Sequence, residues 1–289
     1  MTDGPIRDVV LPWQSRLVLT LVVIAVSAAV LMEGLTLFGS DPRVLITGAA
    51  IGVLFALLVW LLGAATPGAA VTGGLMTIAF YFAAPGWHTL LWPLLALFVL
   101  TFAATRFGRE RKEQLQIAEE RQGRAASQVA ANLGAAALAV IPVSASHFFA
   151  LSLSVLGRPM LIASIAAMAE ATADTLSSEL GEVLGGEPLL LTTLRRVPAG
   201  TDGAISVAGT IAGCAGAAAI ALIAVPVLHL SWMEGLIGLI AGIFGLFVDS
   251  LLGATLERRG WLNNDAVNFL STCAAAIGAA LLALTLGAS

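Results

Sequence analysis

Charge is scarce in this sequence. Only 11% of its 289 residues are Asp, Glu, Lys or Arg, against about 25% in soluble globular domains, and that excludes a solvated globular body. Cysteine is scarce as well. Cys214 and Cys273 each lie inside an apolar run, without a CxxC pair or a neighbouring histidine. That argues against a redox pair or a zinc site and leaves two free core thiols. The three histidines, His88, His147 and His229, are far apart and form no cluster in the sequence. There is no Walker A loop and no kinase HRD or DFG signature, so any nucleotide site must follow another design. The formal charge of −4 is small, and no nucleic-acid partner is expected.

What the chain does contain is apolar sequence, 58% of it, in several runs that reach the ~20 residues a bilayer crossing needs. The fold class is therefore all-α, a polytopic transmembrane helical bundle forming one membrane unit over 1–289. Candidate spans run over 16–38, 44–65, 68–84, 87–105, 127–143, 158–176, 204–229, 233–254 and 266–287, about nine in all. Met1 to Ser15 is polar and holds no cleavable signal pattern, and the run after Arg16 is too long for a signal core, so a retained first span is expected.

Basic residues set the expected orientation. Arg106, Arg109, Arg111, Lys112, Arg121 and Arg124 crowd one connection, Arg195 and Arg196 a second, and Arg258 and Arg259 a third. Positively charged loops stay on the cytoplasmic side, which puts the N-terminus inside and Ser289 outside, in what we expect to be a bacterial inner (plasma) membrane. Ser144–Gly157 reads equally as a loop, an interfacial helix or a half-span. The mixed charges of Thr105–Ser127, such as Arg109 with Glu113 and Glu120 with Arg124, suit a solvated helix with i,i+4 pairs.

The stretch Ala169–Gly181 stands out from this background. Glu170, Asp174, Ser177 or Ser178, and Gly181 share one helical stripe at the end of an otherwise apolar span. A charge at membrane depth costs roughly 2.5–3.5 kcal/mol on insertion scales, and is kept where it meets a partner, a cavity or an ion. Acids near the headgroups that merely cap a helix are the bland alternative. A second stripe, Gly235, Gly238, Gly242, Gly245, Asp249 and Gly253, joins small residues fit for close helix packing to another acid. Asp249-Ser250 thus mirrors Asp174-Thr175, and Asn263, Asn264, Asp265 and Asn268 follow on the same side. Glu33 in the first span is a further acid, as readily structural or snorkelling as functional.

Between the two stripes, Pro198-Ala199-Gly200-Thr201-Asp202-Gly203 is a glycine-bracketed turn feeding a span, with Thr201 or Asp202 as the expected N-cap. Free N–H groups at such a helix start, beside Arg195 and Arg196, suit phosphate. Carboxylates suit Mg²⁺, which takes one or two of them plus substrate phosphates. Together these features point to phosphoryl transfer, in which positioning and charge neutralisation carry most of the catalysis.

Several of these motifs resemble the transmembrane protein 19 family: Ala173-Asp174-Thr175 through Ser178-Glu179-Leu180-Gly181, Thr192-Thr193 with Val197-Pro198, Gly200-Thr201-Asp202-Gly203, and Asp249-Ser250-Leu251-Leu252-Gly253-Ala254. Lys112, Gln128-Val129, Asn132-Leu133-Gly134 and Asn264 with Asn268 look like that family too. The resemblance covers Thr66 to Leu284, which makes 66–289 a family-like core and 1–65 a variable pair of N-terminal spans. The family includes plant and cyanobacterial phytyl-phosphate kinase. It is distantly similar to phytol kinase, dolichol kinase and CDP-diacylglycerol synthase, which use CTP; their Asp-x-x-Ala-x-x-x-Gly motif is loosely matched at Asp174–Gly181, with Ser177 at the alanine position.

The resemblance implies a Mg²⁺- and CTP-dependent kinase that converts a prenyl monophosphate to its diphosphate, with membrane lipid or prenyl phosphate and a nucleotide as its binding partners. On that expectation Asp174, Asp249 and Glu179 are catalytic, and Asp174 and Asp249 also hold the metal. Arg195 and Arg196 neutralise nucleotide phosphates, and Lys112 and Arg124 hold the prenyl phosphate. Asn132, Ser178, Gly200, Thr201, Gly203, Ser250, Asn264 and Asn268 complete the nucleotide and phosphate site. An ion-coupled transporter and a non-catalytic lipid-binding membrane protein are the competing readings; acids inside spans suit the transporter, but no inverted repeat stands out.

Overall fold

The structure is a computed structural model that describes residues 11–109, 111–112, 123–143 and 154–287. Glu113 and Glu120, partners in the expected i,i+4 pairs, and most of Ser144–Gly157 lie outside the described residues.

Among the described residues there are nine α-helices, one for each expected span. They are α1 Trp13–Ser40, α2 Pro42–Leu61, α3 Pro67–Ala83, α4 Leu91–Arg106, α5 Ala126–Ala139, α6 Ser154–Leu184, α7 Val207–Val227, α8 Trp232–Leu252 and α9 Asn264–Thr285. Five of them, together with α5 extended to Val143, are long and apolar enough to cross a membrane. Helices α3 and α4 are shorter but apolar, and α6 is 31 residues long and carries Glu170, Asp174, Glu179 and Glu182. The chain is a polytopic helical membrane protein.

Local chemistry explains where the helices start. Pro42 and Pro67 occupy first helical positions, where a missing N–H costs nothing. Asp41 accepts from Arg43 N at 3.1 Å, and Thr66 accepts from Ala69 N at 3.3 Å. Ser231 and Glu234 form a capping box at α8, and Asn263 caps α9 by accepting from Ala266 N at 3.0 Å. The expected cap of α7 moves. Ser206 holds that position, accepting from Gly209 N at 3.0 Å, because Ala204–Ile205 first forms a short strand, β2, antiparallel to β1 at Leu189–Leu190. Thr201 instead closes its own turn, donating to Pro198 O at 2.7 Å.

The helices alternate between two ends of the bundle, as a few contacts show. At one end Gln14 at the start of α1 donates to Trp261 O at 2.6 Å, and Asn263 donates to Ser15 Oγ at 2.8 Å. Arg106 at the end of α4 donates to Leu62 O at 3.1 Å there. At the other end His88 stacks on His229 with ring centroids 4.0 Å apart. There Arg158 grips Glu234 through two bonds of 2.7 and 2.8 Å.

Helix α6 is the axis. Its Ile162, Ile165, Ala166, Ala167, Met168, Ala169 and Ala173 are fully buried, and glycines on α7 and α8 bring those helices against its backbone. A Cβ at Gly242 would lie 2.7 Å from Ala169 Cβ and 3.2 Å from Glu170 N, and one at Gly213 would lie 2.8 Å from Ala173 O. Such backbone-to-backbone approach is how helices associate where lipid offers no hydrophobic gain. It also turns Asp174 and Asp249 toward the interior.

Candidate functional site

Helix α8 does not stop at Leu252. A single π-helical turn, Gly253–Glu257, follows; wide turns of this kind are frequent at functional sites. Gly203 fits directly against that turn with φ +69°, so that any Cβ would strike the backbone of Ser250 and Ala254. Glycine is required there both for its φ and for the contact. The β1–β2 loop is thereby pinned over the end of α6 and α8.

A second stitch places Arg124. Its N–H donates to Ala64 O at 3.0 Å and its carbonyl accepts from Thr66 N at 3.0 Å, so the α2–α3 connection holds the residue just before α5. Gly123, with φ +78°, lies so close to Ala64 and Ala65 that a Cβ would sit 2.6–2.8 Å from their backbone. The Arg124 guanidinium then donates to Thr175 Oγ1 at 3.2 Å on α6.

These supports surround a polar cavity of about 260 Å³. Asp174 on α6 and Asp249 on α8 both line it, near enough for their charges to act on each other. The Ser271 hydroxyl donates to Asp249 Oδ2 at 3.2 Å, and Glu170 lies one turn deeper on α6. Asn268, in the amide orientation that suits its neighbours, donates to Asn264 O at 3.2 Å and Asp249 Oδ2 at 3.3 Å. Glu170 is buried, and its Oε1 has no hydrogen-bond partner among the described residues.

Most of the residues expected from the sequence meet here. Asp174, Asp249, Glu179, Arg124, Asn132, Ser178, Gly200, Thr201, Gly203, Ser250, Asn264 and Asn268 all line the cavity. Three do not. Lys112 is buried beside it and forms an ion pair with Glu179, while donating to Ala104 O at 3.2 Å and Thr105 O at 3.4 Å. Its ammonium joins the α4 end to α6 and does not line the cavity. Arg195 and Arg196 lie on the exposed face of the β1–β2 loop, outside the lining; Arg196 pairs there with Glu187 at 3.2 Å. The β1–β2 hairpin, invisible as a sequence pattern, is what carries them away from the cavity.

Sequence reasoning also missed lining residues, among them Gln128, Asp202 and Glu257. Gln128-Val129 and Asp202 stood among the family-like motifs without being assigned to the site; the Gln128 Oε1 accepts from Ala125 N at 2.7 Å. Glu257 had no sequence signal, because the π turn that aims it inward has none.

The cavity is acidic. Among the described residues, Asp174, Glu179, Glu182, Asp202, Asp249 and Glu257 line it, against one lining cation, Arg124. A bare phosphate would be repelled there, since like charges a few ångströms apart in a low-dielectric site interact strongly. Two facing carboxylates with amide and hydroxyl oxygens beside them are the donor set of a hard divalent cation that keeps positions for phosphate oxygens. Asp174 and Asp249 are the residues that could hold one. No grouping of three or more His, Cys, Asp or Glu in ligating geometry occurs among the described residues.

The family model described as Integral membrane protein DUF92 matches residues 50–276, and the chain belongs to that family, in line with the motif resemblance. An uncharacterized membrane protein of Methanocaldococcus jannaschii is 39% identical over 194 residues, covering 67% of this chain and 76% of its own. One of Synechocystis sp. is 32% identical over 197 residues, covering 66% and 72%. Protein VTE6, chloroplastic, of Arabidopsis thaliana is 28% identical over 190 residues, covering 65% of this chain and 56% of its own length. No solved structure matches.

Proposed function

We propose that this protein transfers the γ-phosphoryl group of a nucleoside triphosphate, CTP by the family resemblance, to a phytyl-like prenyl monophosphate at the membrane surface. The observation that carries the reading is the facing pair Asp174 and Asp249, with Arg124 in the same cavity at the end of the bundle where the basic connections gather. The likeness to Protein VTE6, chloroplastic, and the resemblance to the family that includes phytyl-phosphate kinase support it.

In this reading the acceptor phosphate oxygen attacks the γ-phosphorus. A new P–O bond forms as the bond to the β-phosphate oxygen breaks, and nucleoside diphosphate and prenyl diphosphate leave. Asp174 and Asp249 would hold Mg²⁺, which when bound neutralises charge on the phosphates. Arg124 orients the acceptor phosphate, its own side chain fixed by Thr175 and its backbone by the α2–α3 connection. Lys112 holds Glu179 in place and acts on α6 rather than on substrate. The β1–β2 loop covers the cavity and limits water, the competing acceptor. The end of the bundle bearing the site faces the cytoplasm, as its basic residues favour.

The test is phosphorylation of phytyl monophosphate by purified protein in lipid nanodiscs with each nucleoside triphosphate in Mg²⁺. Prenyl diphosphate formed in one nucleotide's presence supports the reading; no product with any of them counts against it. The unpartnered Oε1 of buried Glu170, behind the acidic pair, favours one other reading, passage of a cation through the bundle. Cation flux in sealed vesicles without phosphorylation would identify that case.

A further inference from the structure

A second cavity of about 130 Å³ lies among α2, α3, α4 and α5. Most of its wall is apolar, with Thr101, Thr105, Arg106, Arg109, Arg124 and Asn132 as the polar groups, and the aromatic rings on one side meet: Phe55 meets Phe98 edge-on at 5.7 Å, and Phe98 meets Phe102 at 5.4 Å. Arg106 sits 3.5 Å over the Phe102 ring while donating to Leu62 O at 3.1 Å, so its charge is engaged at one edge of this cavity. Arg124 and Asn132 line both this cavity and the acidic one. Arg124 and Asn132 thus form the wall that the two chambers share.

Sites for amphiphiles have this form, with an apolar wall and a few polar groups placed to fix the head. We infer that the α2–α5 cavity holds the head-proximal part of a single hydrocarbon chain whose phosphate sits at Arg124, the acceptor lipid's phosphate entering the acidic chamber from this side. The inference rests on the acceptor reading above and adds where the chain lies. The narrow volume fits one chain rather than the two of a diacyl lipid. Leu57 and Leu58 on α2, and Leu95 and Val99 on α4, are exposed on the bundle surface, so the helices that enclose the cavity also face the bilayer from which a chain would enter.

Gly73 is the lever for a test. It lines the cavity, and a Cβ there would meet only Phe55 Cε1 at 3.7 Å and Val129 Cγ1 at 4.0 Å, ordinary contacts. The backbone there accepts a Cβ without a clash, so Gly73→Leu should narrow the chamber, and its melting temperature reports whether the helices stay in place. The experiment uses the full chain in nanodiscs with a prenyl monophosphate that carries a photoreactive diazirine in its chain, and maps the labelled residues by mass spectrometry without nucleotide. Label in α2–α5 that Gly73→Leu abolishes at an unchanged melting temperature supports the inference, whether or not the protein then phosphorylates the lipid. Label confined to other helices, or unaffected by Gly73→Leu, overturns it even if turnover is found. Displacement of the label by phosphatidic acid as readily as by unlabelled prenyl monophosphate overturns the single-chain assignment.

Where turnover is measured, Gly73→Leu should raise KM for a long-chain acceptor about tenfold, the scale at which a pocket discriminates by small changes in volume. A five-carbon prenyl monophosphate should be unaffected. Phe98→Ala, which widens the same chamber, should instead relax the preference for chain shape. An unchanged acceptor preference in both variants contradicts the assignment.

Discussion

Asp174 on α6 and Asp249 on α8 bring their carboxyl groups to one polar cavity, near enough for each charge to act on the other. They meet because Gly242 and Gly245 bring α8 close to α6 and α9 one to two turns away: a Cβ at Gly242 would fall 3.2 Å from Glu170 N, and one at Gly245 would fall 2.5 Å from Glu170 Cγ and 3.0 Å from Ser271 O on α9. Two like charges facing one cavity are unfavourable unless a cation or a proton joins them. The glycine stripe and the acid pair are one arrangement, in which close packing sets the separation of the carboxyls.

That link makes Gly242 the first test. Gly242→Leu must push against Ala169 Cβ and the Glu170 amide, costing about 1–3 kcal/mol as overpacking does, and should spread Asp174 from Asp249. Lowered thermal stability together with lost activity is the expected result. A variant with the parent's melting temperature and turnover would show that the helices tolerate separation there.

Lys112 and Glu179 give a second prediction. Both are buried, so Lys112→Met strands a carboxylate and should cost about 3–5 kcal/mol, the range for breaking a buried pair. Lys112→Met with Glu179→Leu should recover much of that loss in a thermal melt. If Lys112 instead bound substrate phosphate, the single variant would keep its stability and raise KM.

The third compares arginines. Arg124→Gln removes the one lining guanidinium among the described residues of the acidic cavity and should weaken acceptor binding by at least about tenfold, given the ~1.5–3 kcal/mol that a charged hydrogen bond supplies. Arg195→Gln with Arg196→Gln should leave KM for nucleotide near the parent's, because both side chains point away from the cavity and the Arg196–Glu187 pair is exposed. Steady-state kinetics on the three proteins decides it.

Orientation is the fourth. Single cysteines at Arg111, Arg195 and Arg259, on a background lacking Cys214 and Cys273, should resist an impermeant maleimide in intact cells and react after lysis. Labelling of any one from outside would contradict a cytoplasmic site.

Much of this was legible in the sequence. Nine apolar runs gave nine helices because a backbone in lipid must satisfy its hydrogen bonds within each span, so hydropathy alone specifies the element. The stripes containing Asp174 and Asp249 were readable as helical faces, and both acids turned inward. What could not be read depends on contacts distant in sequence. The β1–β2 pairing of Leu189 and Leu190 with Ile205 and Ala204 moved the α7 cap to Ser206 and carried Arg195 and Arg196 outward. Lys112 looked like a phosphate ligand from its place in a basic connection, but the position of its ammonium is set by Glu179 across the bundle. The end of α6 likewise ran past its apolar span to Leu184, where Glu179 and Glu182 border a cavity instead of lipid.

The most direct measurement is turnover by Asp174→Asn and Asp249→Asn, run beside thermal melts with and without Mg²⁺. Asparagine keeps the shape and removes the charge a hard cation requires. The account predicts that prenyl-monophosphate phosphorylation falls by at least ~10²-fold in each variant, the scale of losing a principal electrostatic contact to a transition state. It also predicts that Mg²⁺ no longer raises the melting temperature, and that stability without metal stays level or rises, since a buried carboxylate lacking its cation is unfavourable. Full turnover by Asp174→Asn with a lowered melting temperature would contradict it, and would make the acid pair a structural element of the bundle.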